Sequence, residues 1–291
     1  MPATHTHRIY GGRALVHFHE EGHRYEIEIP QMKLSFEHPS MTTVLKALGS
    51  LDNRALMDWA AEQAAEYVVD NYPEWKLSTL GRCKLIKDAV RAHSHSRDNS
   101  GRIGTTVHSA IETILRNSGD PYDEFAGLEG DDLLRAVTAM DKAQIFLETN
   151  AILPLGIERA FWSPTLGVVG TADLPAVVNG QLAITDWKIS KWIGLSYRLQ
   201  LTGYATLYEE EHPGEKVLDR RVVAFGADGS QPKVETWTRE TFADDVACFH
   251  RVVQDWRWLV ANDRFYRGRR SYDGPLTADQ LEAFRALPAV A

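Results

Sequence analysis

Two aspartates, Asp173 and Asp186, flank an Asn179-Gly180 dipeptide that lies between two runs of strand-forming residues. Asn-Gly is a strong signal for a two-residue hairpin turn, because both turn positions need a positive φ. In such a hairpin Val178 faces Gln181, and the same register places Asp173 directly opposite Asp186. The pattern therefore predicts an antiparallel strand pair with both carboxylates on one face, their Cβ atoms about 4.5–5.5 Å apart.

Two like charges at opposing strand positions repel each other, so this pair needs a compensating partner. Lys188 lies two residues beyond Asp186 and therefore on the same face of its strand. We interpret the two carboxylates as ligands of a divalent cation. Pro175 falls at a pair of positions that exchange no backbone hydrogen bonds, although an edge position or a bulge is an alternative. A bulge there would move Asp173 out of register with Asp186.

The bulk properties limit the class of protein. With 291 residues, of which 44% are hydrophobic, the chain can bury a sizeable core. The net charge of -8 argues against a protein that coats nucleic acid through bulk electrostatics, but it allows a local basic groove around an acidic site. The only cysteines, Cys83 and Cys248, exclude a disulfide scaffold and are too few for an iron–sulfur cluster. No stretch resembles a signal peptide or has the roughly 18 apolar residues of a membrane span, so we expect a cytoplasmic protein without membrane association.

The first part of the chain predicts a small β elaboration followed by helices. Residues 9–29 alternate in the manner of paired strands with a turn at Glu20-Glu21-Gly22, and a loop is expected to follow up to Pro39. A helix is expected to begin at Asp52. Residues 82–102 contain six Lys or Arg and two Asp in a mostly helical pattern, which could face phosphates or merely solvent.

Residues 104–116 form the clearest amphipathic helix in the sequence. His108 and Glu112 lie four residues apart at the border of its apolar stripe, where a side chain can reach into a cleft beside the core. The stripe itself consists of Val107, Ala110, Ile111, Ile114 and Leu115.

The second part of the chain alternates strands with helices. A short strand at residues 157–162 carries Glu158, the Asn-Gly hairpin spans residues 168–187, and a helix is expected at residues 196–211. A second hairpin and two further helices follow. These elements predict an α/β fold with a mixed central β-sheet flanked by helices, an N-terminal β-hairpin and C-terminal helices.

The candidate ligands favour a hard divalent cation. The carboxylates of Asp173 and Asp186, with the backbone carbonyl of Trp187, offer the oxygen atoms that Mg²⁺ and Mn²⁺ prefer. His108 would complete the site from the helix, and an imidazole ligand favours Mn²⁺ over Mg²⁺. One or two such ions would supply the charge stabilisation and the activated water that phosphodiester hydrolysis needs, with Lys188 orienting or helping to activate the water.

Five motifs follow one another in order: His108 on a helix, Glu158 on a strand, Gly170-Thr171-Ala172-Asp173, Asp186-Trp187-Lys188, and Gln200-Leu201-Thr202-Gly203-Tyr204. This series resembles the PD-(D/E)XK nuclease superfamily. More narrowly it resembles the RecB-type branch, which includes phage recombination exonucleases and Cas4-like proteins. The resemblance covers about residues 104–210.

The resemblance implies a restriction-endonuclease-like core and a set of roles for these residues. His108, Asp173 and Asp186 would bind metal, and Lys188 would be catalytic together with the two aspartates. Gln200 and Tyr204 would position DNA or support the site, with Glu158 close by. Because the cysteines of the Cas4-like cluster and a Walker-type loop are both missing, we expect neither an iron–sulfur cluster nor a bound nucleotide.

Several residues keep two interpretations. Glu112 either supports His108 or is an exposed helix carboxylate, and Tyr204 fits core packing as well as function. The arginine-rich tail is either solvated charge or a strand-tracking surface, because Phe265 and Tyr266 lie within it and aromatic rings stack on bases. The candidate DNA-binding residues are Lys191, Arg198, Arg264, Arg267, Arg269 and Arg270.

We expect a single nuclease domain over residues 1–291, with an N-terminal β elaboration at 1–50, a core at 104–240, and C-terminal helices and the basic tail at 241–291. The expected activity is metal-dependent hydrolysis of DNA from its ends, as in phage-type recombination or repair. A recombination or annealing protein would be a suitable partner, and an oligomer is compatible with the sequence. The alternatives are a structure-specific endonuclease, an enzyme that acts on RNA, and a non-catalytic DNA-binding module.

Overall fold

The computed structural model describes residues 4–48, 53–75, 79–189, 193–226, 231–262 and 272–290. The strands in these ranges are β1 (Thr4–Ile9), β2 (Ala14–His19), β3 (Arg24–Ile29), β4 (Leu34–His38), β5 (Ile152–Pro154), β6 (Arg159–Ser163), β7 (Val168–Ala172), β8 (Leu174–Val178), β9 (Gln181–Lys188), β10 (Asp219–Ala224) and β11 (Lys233–Thr238). The α-helices are α1 (Met41–Leu45), α2 (Asn53–Trp75), α3 (Thr79–Arg116), α4 (Gly130–Thr149), α5 (Leu195–Glu211), α6 (Phe242–Asn262) and α7 (Ala278–Ala286). Within the described ranges, no helix combines the length and the apolar character that crossing a membrane requires.

The central sheet has five strands in the order β11-β10-β9-β8-β5. It is mixed, because β9 and β10 run parallel while its other neighbouring strands are antiparallel. One buried cluster joins this sheet to α1, α5 and α6, and a second joins it to α3 and α4. The predicted α/β class with a helix-flanked mixed sheet is therefore confirmed.

The Asn-Gly hairpin has the predicted register. Val178 pairs with Gln181 and the ladder continues to Leu174 with Thr185, while Asn179 and Gly180 have φ values of 52° and 82°. Pro175 causes no bulge. Its carbonyl oxygen accepts a hydrogen bond from the Leu155 nitrogen at 2.9 Å, on the side of β5. This agrees with the prediction that Pro175 lies where no backbone hydrogen bond to β9 is needed.

The strand that precedes the turn is divided, which the sequence did not predict. β7 pairs with β6 in a separate two-stranded sheet, the chain bends at Asp173, and β8 then joins the central sheet. Asp173 consequently lies at the junction of two sheets. The register of β8 and β9 ends with the pair Leu174 and Thr185, one position short of Asp173 and Asp186.

The N-terminal region is a four-stranded antiparallel sheet in the order β1-β2-β3-β4. It therefore has two more strands than the one hairpin that the sequence predicted. Only β2 and β3 fall in the expected hairpin. β1 contains no apolar residue before Ile9, and the expected loop contains a 3-10 turn at Pro30–Met32 followed by β4. The inner face of the sheet packs against Trp162 of β6 and Phe284 of α7.

α3 unites two segments that the sequence divided, the basic stretch and the amphipathic helix. Its C-terminal half buries Val107, Ala110 and Ile111 as predicted. On the other face of the central sheet, α5 approaches α1 closely at Gly203, where a Cβ atom would lie 2.4 Å from the Met41 Sδ. A side chain at this position would have to displace the end of the Met41 side chain, which fills the space beside Gly203.

Candidate active site

A cleft of about 500 Å³ receives side chains from the N-terminal sheet, from the C-terminal half of α3, and from the region around β7. Two groups of its lining residues differ in chemistry. We call His108, Glu112 and Glu158, together with the neighbouring Asp173, the acidic side, and we call His5, His7, Phe18, His23 and Tyr25 the aromatic side.

His108 projects from α3 and is held by a backbone carbonyl. Its Nε2 lies 3.0 Å from the Trp187 oxygen, and because a carbonyl can only accept, Nε2 carries the proton and donates. In the neutral ring this leaves a lone pair on Nδ1, which lies 3.6 Å from Asp173 Oδ2 and 4.0 Å from Glu158 Oε1. This fixed tautomer is the arrangement in which a histidine can bind a metal.

Asp173 is held at the bend between β7 and β8 by two hydrogen bonds. Its Oδ2 accepts from the Trp187 backbone nitrogen at 2.7 Å, and its carbonyl accepts from the Glu158 nitrogen at 2.9 Å. The side chain is buried next to the cleft. The carboxylate therefore has one orientation, and the segments that carry Asp173 and Glu158 are tied together.

Glu158 has a strained backbone and a crowded carboxylate. It lies immediately before β6 with a φ of 48°, in the left-handed region that non-glycine residues rarely adopt. Burial, followed by the charges of Asp173 and Glu112, raises its pKa to about 8. Both features cost stability, and such costs concentrate at functional sites.

His108, Glu158 and Asp173 each offer one ligand atom, and these three atoms lie within 4.8 Å of one another. An ion about 2.1 Å from each of two ligands would place those ligands about 3.0–4.2 Å apart at angles from 90° to 180°. The separations of 3.6 and 4.0 Å from Nδ1 fall in this interval. The donor set of one imidazole and two carboxylates therefore fits a divalent ion such as Mn²⁺ or Mg²⁺.

Asp186 and Lys188 lie on β9 and form an ion pair with each other. Asp186 is buried, and burial together with the Asp173 charge raises its pKa to about 6. Burial opposes the Lys188 ammonium, but the charges of Asp186 and Asp173 outweigh it and raise the pKa of Lys188 above its usual range. The pair thus places a positive charge beside the carboxylates.

The structure and the sequence group the candidate ligands differently. The sequence assigned Asp186 and the Trp187 carbonyl to the metal with His108 and Asp173, and gave Glu158 a supporting place. In the structure Glu158 belongs to the ligand cluster, Asp186 contacts Lys188, and the Trp187 carbonyl accepts the His108 hydrogen bond.

The supporting candidates are also close to the cleft. Gln200 Nε2 donates to Tyr204 Oη at 3.1 Å, and Tyr204 both lines the cleft and belongs to the core cluster of α5 and α6. Burial and the Asp186 charge raise the pKa of Tyr204 well above its ordinary value. Glu112 Oε1 lies 2.7 Å from Arg116 Nε. Glu112 therefore pairs with Arg116, whereas one interpretation of the sequence had it supporting His108.

The candidate DNA-binding residues are placed only in part. Arg198 makes two contacts with Asp245, at 3.0 Å from Nε and 2.9 Å from Nη2, in a network with the buried Arg220. This network joins α5 to α6 and explains Arg198 as a structural residue. Five of the candidates lie outside the described residues, namely Lys191, Arg264, Arg267, Arg269 and Arg270.

The sequence did not predict the aromatic side of the cleft. One signal was present: His5 and His7 alternate before Ile9, which places both on the same face of a strand. Without an apolar partner at the intervening positions, this alternation is weak evidence for a strand.

Comparison with known proteins gives little further information. No protein-family model and no curated protein matches the chain. Among solved structures, the chain is similar to a 2.19 Å crystal structure of a protein from Eubacterium rectale that is named "Putative exonuclease", with 13% identity, a TM-score of 0.38, and coverage of 64% of this chain and 79% of that chain. At this identity and TM-score the likeness carries no functional argument. The assignment of a function therefore rests on the residues of the cleft.

Proposed function

We propose that this protein is a divalent-metal-dependent deoxyribonuclease that hydrolyses phosphodiester bonds from DNA ends. The observation that supports this proposal is the convergence of His108, Glu158 and Asp173 on one point next to a cleft, with the Asp186–Lys188 pair beside them. A non-catalytic module would not need this combination of crowded carboxylates and a buried lysine.

His108, Glu158 and Asp173 would hold the ion, and Asp186 would share its charge between the ion and Lys188. A bound Mg²⁺ or Mn²⁺ would stabilise the charge on the phosphate and lower the pKa of a bound water. The imidazole ligand favours Mn²⁺. The Trp187 backbone has a different part, because its N–H and carbonyl orient Asp173 and His108.

Lys188 would act on the attacking water and on the phosphate. The charged ammonium is fixed by Asp186 and lies 5.2 Å from the centre of the Tyr197 ring. A cation held in this way neutralises charge as it develops on the phosphate without needing to reorganise. Tyr204, kept neutral by burial, and Gln200 would support the same part of the cleft.

The finer parts of this proposal come from the resemblance to RecB-type nucleases. They are action on DNA ends, a place in phage-type recombination or repair, a cytoplasmic location, and association with an annealing protein or with further copies of the chain. An endonuclease of the same superfamily is the alternative.

A cleavage assay tests the proposal. End-labelled linear DNA and covalently closed circles, single- and double-stranded, are incubated with Mg²⁺, Mn²⁺ or chelator. The native protein should shorten linear DNA only when metal is present, and Asp186→Ala should not. Asp255→Ala is the matched control, because Asp255 is exposed on α6.

Two results would contradict the proposal at different levels. If the native protein binds DNA but cleaves none with any metal, the nuclease assignment is wrong. If it cuts closed circles as readily as linear molecules, the protein is an endonuclease.

A further inference from the structure

The aromatic side of the cleft is one row of the N-terminal sheet. His5 pairs with Phe18 across β1 and β2, and Phe18 pairs with Tyr25 across β2 and β3. Because paired residues project to the same face, these three side chains stand next to one another. His23, which has a φ of 49° in the turn before β3, adds a fourth ring.

The rings form a connected surface. Phe18 and Tyr25 have centroids 4.8 Å apart, and Phe18 and His23 are edge-to-face at 5.0 Å. Tyr25 is buried, Phe18 is partly exposed and His23 is exposed, so Phe18 and His23 present ring surface to the cleft.

The aromatic side is fixed relative to the candidate ligands. Tyr25 Oη lies 3.1 Å from Thr171 Oγ1, and Thr171 precedes Asp173 by two residues. Burial is the main cause that raises the pKa of Tyr25, but the Glu158 charge also contributes, which places the two residues within electrostatic reach. A molecule bound on these rings would therefore lie beside the metal ligands.

His7 also lines the cleft and lies two residues from His5, on the same face of β1. Burial lowers the pKa of His7, and the nearby His5, Arg159 and Arg116 lower it further. His5 contacts Glu20 at 3.1 Å, and the two arginines are paired with acids, Arg159 with Glu211 at 2.8 Å and Arg116 with Glu112 at 2.7 Å. A neutral imidazole such as that of His7 carries one N–H, which can donate to an anion in the cleft.

The opposite face of the same sheet shows a different use of histidine. His17 lies 3.2 Å from Glu28, and His19 lies 3.5 Å from Glu26, so each has an acidic partner across the strands. These pairs stabilise the outer face and line no part of the cleft. The ring surface on the inner face therefore has a separate explanation.

We infer that Phe18, His23 and His7 form a subsite for one unpaired nucleotide at the end of a DNA strand. The inference rests on the proposed nuclease function and names the form of its substrate. The base stacks on Phe18 and His23, and the adjoining phosphate lies at His7. The cleft has a volume of about 500 Å³, in the range of small-molecule sites, so it has room for one nucleotide unit. An unpaired base is free to lie on these rings, whereas a paired base would first have to leave its partner.

Two substitutions test the subsite. Phe18→Leu removes the ring while keeping an apolar side chain, and His23→Asn keeps a residue that tolerates a positive φ. The matched control is His17→Ala, which lies next to Phe18 in sequence but on the other face of β2. Thermal unfolding of every variant checks that the sheet is intact, and His23→Asn remains informative if Phe18→Leu fails to fold.

The measurement is the anisotropy of labelled oligo-dT and of a blunt-ended hairpin duplex, in Ca²⁺, followed by KM and kcat for nucleotide release in Mn²⁺. We expect each test variant to lose about 5- to 150-fold in affinity for oligo-dT, the range for loss of one stacked base. Duplex affinity and kcat should change little, and His17→Ala should match the native protein.

Native-like affinity of both test variants for oligo-dT would overturn the inference, as would an equal loss for the blunt duplex. Failure of the nuclease proposal is a separate result. In that case the native protein itself would release no nucleotide with any metal.

Discussion

The acidic and the aromatic sides of the cleft are stabilised in opposite ways. On the acidic side, Glu158 combines an unfavourable φ with a carboxylate crowded by Asp173, and binding of a cation would relieve the repulsion between the two carboxylates. On the aromatic side, the rings sit on a regular four-stranded sheet and contact one another. The difference indicates that the acidic side is maintained for chemistry, whereas the aromatic side gains stability from the same residues that would bind a ligand.

The largest expected effect comes from neutralising the acidic side. Asp173→Asn keeps an oxygen that can accept from the Trp187 nitrogen but removes a ligand charge. We expect kcat to fall by about 1,000-fold or more, because charge stabilisation at the phosphate is lost. Thermal unfolding should show equal or greater stability, since repulsion with Glu158 and Asp186 disappears. A marked loss of stability would mean that the acidic side is structural.

In the N-terminal sheet, adding a charge should lower stability, whereas on the acidic side removing one should leave stability equal or greater. The residue concerned is a buried histidine at the end of the row of aromatic rings. His38 pairs with Tyr25, accepts from the Trp162 indole nitrogen at 2.7 Å, and contacts the Gly274 oxygen at 3.0 Å. Burial lowers its pKa from 6.5 to about 4. The unfolded chain therefore takes up this proton at a higher pH than the folded chain does.

This difference predicts a pH dependence of stability. The contribution of His38 is fully present above pH 6.5 and is lost as the pH falls toward 4, to an extent of about 3 kcal/mol. His38→Asn keeps an acceptor for Trp162 but does not titrate. Urea unfolding at pH 7, 5.5 and 4 should show a steeper decline for the native protein than for the variant, and parallel declines would contradict the account.

A packing prediction concerns the place where β7 meets α1 and α5. A Cβ atom at Gly170 would lie 2.8 Å from a Tyr204 ring carbon and 3.1 Å from the Met41 Cβ. We expect Gly170→Ala to destabilise the protein by about 1–3 kcal/mol, because the core is overpacked. Gly104→Ala in α3 is the control. Nothing lies near its added methyl group, so urea unfolding should show a gain of about 0.5–1 kcal/mol.

The smallest expected effect of a cleft substitution on stability comes from the strained backbone of Glu158. Glu158→Asn introduces a residue that tolerates φ near 48° and removes one of the crowded charges. We expect a gain of about 1 kcal/mol in the free energy of unfolding, with loss of metal-dependent cleavage. A variant that is less stable than the native protein would show that Glu158 is held by favourable contacts.

Local sequence signals accounted for the parts of the fold that depend on short-range geometry. The Asn179-Gly180 turn predicted the register of β8 and β9, and the spacing of Val107, Ala110 and Ile111 predicted the buried face of α3. Both depend on residues close in sequence, where turn type and helix period decide the outcome.

The remaining features depend on contacts that no local pattern reveals. The bend at Asp173 arises because β7 and β8 pair with different strands. The left-handed φ of Glu158 could not be predicted, because glycine is the residue type that usually indicates such a φ. The aromatic side required β1, whose polar residues give a weak strand pattern. The residue types of the candidate site were therefore predictable, but the grouping of Glu158 with His108 and Asp173 was not.

The most direct test of the central claim is Mn²⁺ binding, measured from the electron paramagnetic resonance signal of the free ion. The account predicts that the native protein and Asp255→Ala bind Mn²⁺ with similar affinity, whereas Asp173→Asn and Glu158→Gln bind it at least about tenfold more weakly. Equal Mn²⁺ affinity of all four proteins would contradict the claim that His108, Glu158 and Asp173 form a metal site.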